Sequence, residues 1–220
     1  MDPQALPKAR SGRDRSAEVL DAARGLFFER GYRGTTIQQI ADRAGYSKRT
    51  VYLDYQNKDE LFISVCVEGG QLLLEQLRQV PAAELGVEPC LDRFLDVYVR
   101  FSEEHREYFR MIFSDASPEV IANCSEQLRQ QLASLEQECL GVLVRWCERA
   151  VGEGRIEPVD PWETAGILTG AATGIILLAM GGSQSVFTRQ TRQTLARKAV
   201  TTIWRGLARA STAQEPRSEP

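Results

Sequence analysis

The stretch TTIQQIADRAGYSKRT places two helix starts, at Thr36 and at Ser47, with Gly45 between them. Thr36 followed by Gln39 is a capping-box pattern, in which each side chain accepts from the other residue's backbone N–H. Ile37, Ile40, Ala41 and Ala44 recur at spacings of three and four, which gives this helix one apolar face. Gly45 breaks the chain sharply, and Ser47 is of the residue type that caps a new helix. Helix, short glycine-bearing turn and second helix together make the helix-turn-helix unit. In that unit the second helix enters the DNA major groove N-terminus first, and the first crosses the backbone.

The residue types around the second helix fit that chemistry. Ser47 opens a helix whose first backbone N–H groups suit a phosphate. Lys48 and Arg49, in its first turn, are of a length and charge to reach guanine O6 and N7. Tyr52 and Lys58 offer a phenol and an ammonium to phosphate oxygens, contacts that fix register without reading sequence. Val51 and Tyr55 fall on the opposite side and are expected to pack on the preceding helices. Asp54 does not follow from this reading, because a carboxylate repels phosphate. An ion pair with Lys58, Arg30 or Arg33 is one account of it. Suppression of non-specific DNA binding by repulsion is the other.

The charge distribution agrees with a nucleic-acid-facing front. Between Lys8 and Lys58 there are eleven Lys/Arg and six Asp/Glu, although the whole chain carries −3. A basic front therefore stands on an acidic body. The five cysteines, Cys66, Cys90, Cys124, Cys139 and Cys147, include no C-x-x-C pair, and there is one histidine. Neither a disulfide framework nor a zinc site is expected, and the thiols read as small buried hydrophobes. No apolar leader pattern opens the chain, so a cytoplasmic protein is expected.

Apolar periodicity runs at the helical spacing throughout, without strand alternation, and predicts an all-α fold of about nine helices. The first runs from about Ser16 to Arg30, with Val19, Ala22, Ala23, Leu26 and Phe27 as its buried stripe and Gly31 as its stop. A fourth runs from near Lys58 to about Val80. The longest pattern runs from about Glu119 to Val151, and a last helix covers about Thr191 to Ala208. The expected division is a disordered basic arm over 1–14, a helix-turn-helix domain over 15–60, a helical ligand-binding and dimerisation domain over 61–210, and a disordered tail over 211–220.

The segment GYRGTTIQQIADRAGYSKRTVYLDYQNKDELF resembles the DNA-binding region of TetR-family transcription regulators. The resemblance lies in the glycine and threonine pair before the second helix, the Ile-Ala pair, the Ala-Gly turn, Ser47, Thr50, Tyr52, the aromatic Tyr55, Lys58 and Leu61. It covers about fifty N-terminal residues. It implies a recognition helix through Ser47 to Asp54 and a phosphate contact at Lys58. The DNA-facing set is then Thr36, Gln38, Ser47, Lys48, Arg49, Thr50, Tyr52 and Lys58. Two positions depart from the family pattern. Asp54 stands where histidine, tyrosine or asparagine is usual, and Tyr55 replaces phenylalanine.

From Thr164 to Thr188 the chain carries no charge, and Gly166, Gly170 and Gly174 repeat every four residues. A bilayer, the protein's own core or a second copy each satisfies such a helix. The threonines, the glycines and the polar Ser-Gln-Ser end favour the second copy over the bilayer. Leu195, Ala199, Ile203 and Leu207 make a matching stripe on the last helix. The resemblance implies that these two helices pair with their copies in a four-helix dimer bundle, and a two-fold dimer reads a palindrome. It also implies a central small-molecule pocket, for which Phe94, Tyr98, Phe101, Phe109, Phe113 and Trp146 are the candidate lining. Such walls suit a hydrophobic effector. His105 reads as a solvated helix-end residue.

No phosphate loop, nucleophile elbow or metal-ligand spacing is present, so an enzyme is not expected, nor a cofactor. The expected function is a ligand-responsive dimeric DNA-binding regulator, most often a repressor in this family. The competing reading is a dimeric helical interaction protein that has kept the fold and lost specific DNA binding.

Overall fold

Val19, Ala22, Ala23, Leu26 and Phe27 are all buried, and they form the inward face of α1 (Gly12–Arg30). The computed structural model describes residues 12–80, 86–181 and 189–207. The expected tail from Ser211 and the first eleven residues of the expected arm lie outside them. The arm's expected end at residue 14 gives way to helix already at Gly12.

After α1 come α2 (Ile37–Ala44), α3 (Lys48–Val51), α4 (Lys58–Arg78), α5 (Val87–Glu104) and α6 (Arg106–Arg110). A π-helical turn, Met111–Asp115, continues α6. Then follow α7 (Pro118–Ala122), α8 (Glu126–Gly152), α9 (Pro161–Met180) and α10 (Arg189–Leu207). The described residues hold ten α-helices and no strand, which agrees with the all-α reading.

The added helix comes from the long pattern expected over Glu119–Val151. It is interrupted between α7 and α8, where polar groups of α4's first turn and of Asn57 just before it bond to residues 123 and 125. Glu60 Oε1 accepts from Ser125 N at 3.0 Å, and Asn123 O accepts from Asn57 Nδ2 at 2.9 Å. Asn123 Nδ2 in turn donates to Asp59 Oδ2 at 2.8 Å. The apolar spacing of Ile121, Cys124 and Leu128 runs straight across this break.

Two compact units result, one of residues 1–72 and 105–136, the other of residues 73–104 and 137–220. The first takes segments from both sides of the boundary expected near residue 60, and the second lies wholly beyond it. In the first, Phe62 meets Phe27 edge-on at 5.3 Å and Tyr32 at 5.0 Å. Gly69 and Gly70 of α4 let two other helices approach closely. A Cβ at Gly69 would lie 2.5 Å from the Tyr108 ring, and one at Gly70 would lie 2.7 Å from Leu135 Cδ2. In the second unit, α5, α9 and α10 pack on one another. Phe94 stacks on Tyr98 at 5.5 Å and meets Trp146 edge-on at 6.3 Å. Arg197 of α10 binds both Asp92 and Asp96 of α5.

The last helix buries one stripe within the protomer and leaves the expected interface stripe beside it. The buried stripe of α10 is Ala196, Val200 and Trp204. Leu195, Ala199, Ile203 and Leu207 flank it, each half-buried. α9 buries Thr164, Ala165, Leu168, Ala172 and Ile176. Its length and composition would also allow it to cross a membrane, and only 28% of its apolar window is buried. All five cysteines are free thiols; four are buried and Cys139 is half-buried.

Candidate nucleic-acid interface

The helix-turn-helix forms from the local signals that its residues carry. At Thr36, Oγ1 accepts from Gln39 N at 3.3 Å while Gln39 Oε1 accepts from Thr36 N at 2.9 Å, which completes the capping box. Ile37, Ile40 and Ala41 are buried. Gly45 ends α2 at φ 73°, the left-handed region that glycine enters without a Cβ penalty. Ser47 Oγ accepts from Thr50 N at 3.1 Å and so caps α3. The helix itself has only four residues, and turns carry the chain on through Asp54. The expected recognition helix over Ser47–Asp54 is therefore one helical turn plus a turn-rich exit.

Of the eight expected DNA-facing residues, Thr36, Gln38, Ser47, Lys48, Arg49 and Tyr52 are exposed. Val51 is fully buried beneath them. Gln38 donates to Asp42 at 2.8 Å, and the Lys48 ammonium lies 5.8 Å from the Tyr52 ring centroid. Thr50 is half-buried, with its hydroxyl 2.7 Å from that of Ser47.

Lys58 differs from the other seven. Its ammonium donates to Tyr32 O at 2.9 Å and to Thr35 O at 3.1 Å. It also lies 3.9 Å from the Tyr32 ring centroid. Two of its three N–H groups are thus committed to the α1–α2 turn, and burial pulls its pKa down although Asp59 opposes that. Lys58 thus ties α4's first turn to the turn preceding α2, with one donor left for the expected phosphate contact. Tyr32 donates to Asp59, and burial together with that bond pushes its hydroxyl up to about 12.

Asp54 does not pair with Lys58, Arg30 or Arg33. Its carboxylate receives both branches of the Arg15 guanidinium, Nε at 2.8 Å and Nη2 at 2.7 Å. The hydrogen bonds that Arg15 donates to Asp54 hold its guanidinium pKa above its ordinary value. Next to it, the Tyr55 hydroxyl sits 3.1 Å from Ser16 Oγ, and burial raises its pKa. At the other end of α3, Tyr46 donates to Glu18.

Leu53 lies outside the expected set. It is 69% exposed, the most exposed large apolar side chain among the described residues. Its place between Tyr52 and Asp54 was the available signal, but a leucine carries no polar chemistry that points to DNA.

The pocket candidates fall into both units. Phe94, Tyr98, Phe101 and Trp146 are buried in one, where the Tyr98 hydroxyl lies 2.7 Å from Thr173 Oγ1. Phe109, buried, and Phe113, half-buried, pack at 4.7 Å in the other. His105 is half-buried ahead of α6, 6.3 Å from the Tyr108 ring centroid.

Residues 19–65 match the family described as bacterial regulatory proteins, tetR family. Residues 91–203 match the tetracyclin repressor-like C-terminal domain. The HTH-type transcriptional regulator YhgD of Bacillus subtilis (strain 168) is 27% identical over 161 residues, 70% of this chain and 78% of that protein. The HTH-type transcriptional activator FasR of Mycolicibacterium smegmatis is 30% identical over 112 residues, 50% of this chain and 51% of its own. The crystal structure of the transcriptional regulator FadR from Bacillus subtilis, in complex with stearoyl-CoA, shares the fold. Its TM-score is 0.67 at 17% identity, over 87% of this chain and 98% of that one. With both its DNA-binding and its C-terminal segments matched, the chain belongs to the TetR family of bacterial transcriptional regulators.

Proposed function

We propose that this chain is a dimeric repressor that holds a palindromic operator and releases it when a small apolar molecule binds. The observation that carries the reading is the sorting of α2 and α3. Six polar and basic candidates face solvent, while Ile37, Ile40, Ala41 and Val51 lie buried behind them. Lys48 and Arg49 read bases from the first turn of α3, while Thr36, Gln38 and Tyr52 anchor the backbone.

Dimerisation is supported by α9. A Cβ built at Gly166, Gly170 or Gly174 meets nothing within 4 Å. Ile167 and Leu178 on the same helix are 51% and 63% exposed. A helix with glycines every four residues and an exposed apolar flank suits close approach by a second copy. Two recognition elements then read half-sites about 34–36 Å apart or a multiple of that. The buried aromatic groups of both units favour an apolar effector, and acyl thioesters enter the test because FadR, which shares the fold, holds one. The rival reading, a regulator fold without DNA binding, draws on Asp54 and on the mild basic excess of the N-terminal segment; the ion pair with Arg15 speaks against the first of these.

The test is selection of duplexes from a random pool, followed by fluorescence anisotropy over a range of salt. A specific regulator binds the selected palindrome at about 10⁻⁸–10⁻¹¹ M, with a steep negative salt slope. Long-chain acyl-CoAs and other apolar molecules are then titrated into the complex. A folded dimer that binds no duplex at any salt would refute the reading.

A further inference from the structure

A four-residue helix does not hold its own shape, since nucleation costs more than one or two hydrogen bonds return. Something other than α3 must fix α3, and the structure shows what does. Three consecutive strands of polar contact run from the first turns of α1 to the two ends of the recognition element. Glu18 takes the Tyr46 hydroxyl ahead of α3. Behind it, Ser16 meets the Tyr55 hydroxyl through Oγ at 3.1 Å and through its carbonyl at 3.3 Å. Beside that contact, Arg15 grips Asp54 with both oxygens engaged.

The Arg15–Asp54 contact differs in kind from the other two. A guanidinium and a carboxylate in fork-to-fork register fix orientation as well as distance. The side chains are only 25% and 14% exposed, so water does not freely replace the bond. The pairing also places a cation beside the one acid on this element, which offsets its repulsion of phosphate. Tyr52 and Leu53, immediately before Asp54, are the two exposed large side chains that this grip aims outward.

We infer that Arg15 and Asp54 are a positioning pair for DNA recognition: the fork locks the exit of α3 onto α1 and so sets the angle at which Lys48, Arg49, Tyr52 and Leu53 meet the groove. The inference rests on the proposed operator binding, but half of its test does not need DNA. In the free protein, hydrogen exchange at the amides of Thr50 to Tyr55 reads the order of the element directly. Asp54→Asn is isosteric and removes the charge; Arg15→Lys keeps the charge and removes the fork. Both variants should exchange faster there than wild type, while the amides of α2 stay unchanged. Equal exchange in both would overturn the inference, whether or not any duplex has been found.

The other half uses the palindrome selected by the wild-type dimer and a scrambled duplex of equal length. Asp54→Asn and Arg15→Gln should each weaken palindrome binding by roughly tenfold, with much less change on the scrambled duplex. The double variant should lose no more than the worse single one, because the pair acts as a unit. Arg15→Lys should fall between wild type and Arg15→Gln while keeping the wild-type salt slope. Additive losses, or an Asp54→Asn variant that binds both duplexes more tightly, would overturn the pair. A wild-type dimer that selects no duplex would instead sink the operator reading, leaving hydrogen exchange to decide the clamp.

Discussion

In α2, Ile37, Ile40 and Ala41 are buried while Gln38, Asp42 and Arg43 are exposed, so each residue type stands where transfer from water places it. α9 is sorted otherwise. Its apolar window has a mean hydropathy of 1.5, yet Trp162, Ile167 and Leu178 are exposed. The first helix is completed within one protomer by caps, by the core beneath it and by α3. The second satisfies one face on α5 and α10 and leaves the other with an unmet requirement. A local motif can be finished by its own neighbours in sequence; a helix apolar on most sides states a need for a partner without naming it.

The sharpest way to break this comparison is to charge the open face. Gly170 has free space around it, so an arginine there should leave the protomer folded, and exchange of a helical glycine adds roughly 1 kcal/mol of helix propensity. In a dimer packed through that face the same arginine is an unpaired buried charge, worth about 3–5 kcal/mol against association. Sedimentation of Gly170→Arg should therefore show a monomer with an undiminished thermal midpoint, and operator affinity should collapse with the dimer. A dimer of wild-type stability would remove α9 as the interface.

The next effect tests whether the first unit is as self-contained as α2 implies. Glu60 is 6% exposed, and its carboxylate accepts from Gln56 N at 2.7 Å and Ser125 N at 3.0 Å. Burial works to raise its pKa, but these bonds outweigh it and hold the group below its ordinary value. A depressed carboxylate stabilises the fold above its unfolded pKa, near 4.3, and that contribution is lost as pH falls through the lower folded value. Glu60→Gln should cost about 1.5–3 kcal/mol at neutral pH. The gap from wild type should close in acid denaturation below about pH 4. A gap that does not change with pH would mean that the carboxylate is not what joins α4 to the α7–α8 break.

These cases also mark how far the sequence could be read. The capping box, Gly45, Ser47 and the stripe of α1 are signals contained within a few residues, and the structure holds each as expected. The partner of Asp54 was not legible, because Arg15 is 39 residues away and proximity in sequence points to Lys58. The two carbonyls that hold Lys58, those of Tyr32 and Thr35, were not legible either, since nothing local points to them. The break after α7 was invisible for the same reason: its bonds go to Asn57, Asp59 and Glu60, more than sixty residues away. Leu53 was passed over because exposure, its informative property, is not written in its type.

The smallest effect sharpens the comparison most, because it sets two glycines with equally open surroundings side by side. A Cβ at Gly45 meets nothing within 4 Å, as at Gly170. Space alone would thus allow alanine at both. But Gly45 stands at φ 73°, where an L side chain crowds its own carbonyl, and Gly170 lies within a regular helix. Gly45→Ala should cost about 1–2 kcal/mol in thermal unfolding and Gly45→Asn less, since asparagine tolerates the left-handed region. Gly170→Ala should cost the protomer nothing and show its effect only in dimer dissociation. One glycine then answers to its own backbone and the other to a second molecule. An equal loss of protomer stability at both sites would erase that distinction, and with it the reason for treating the face of α9 as unfinished.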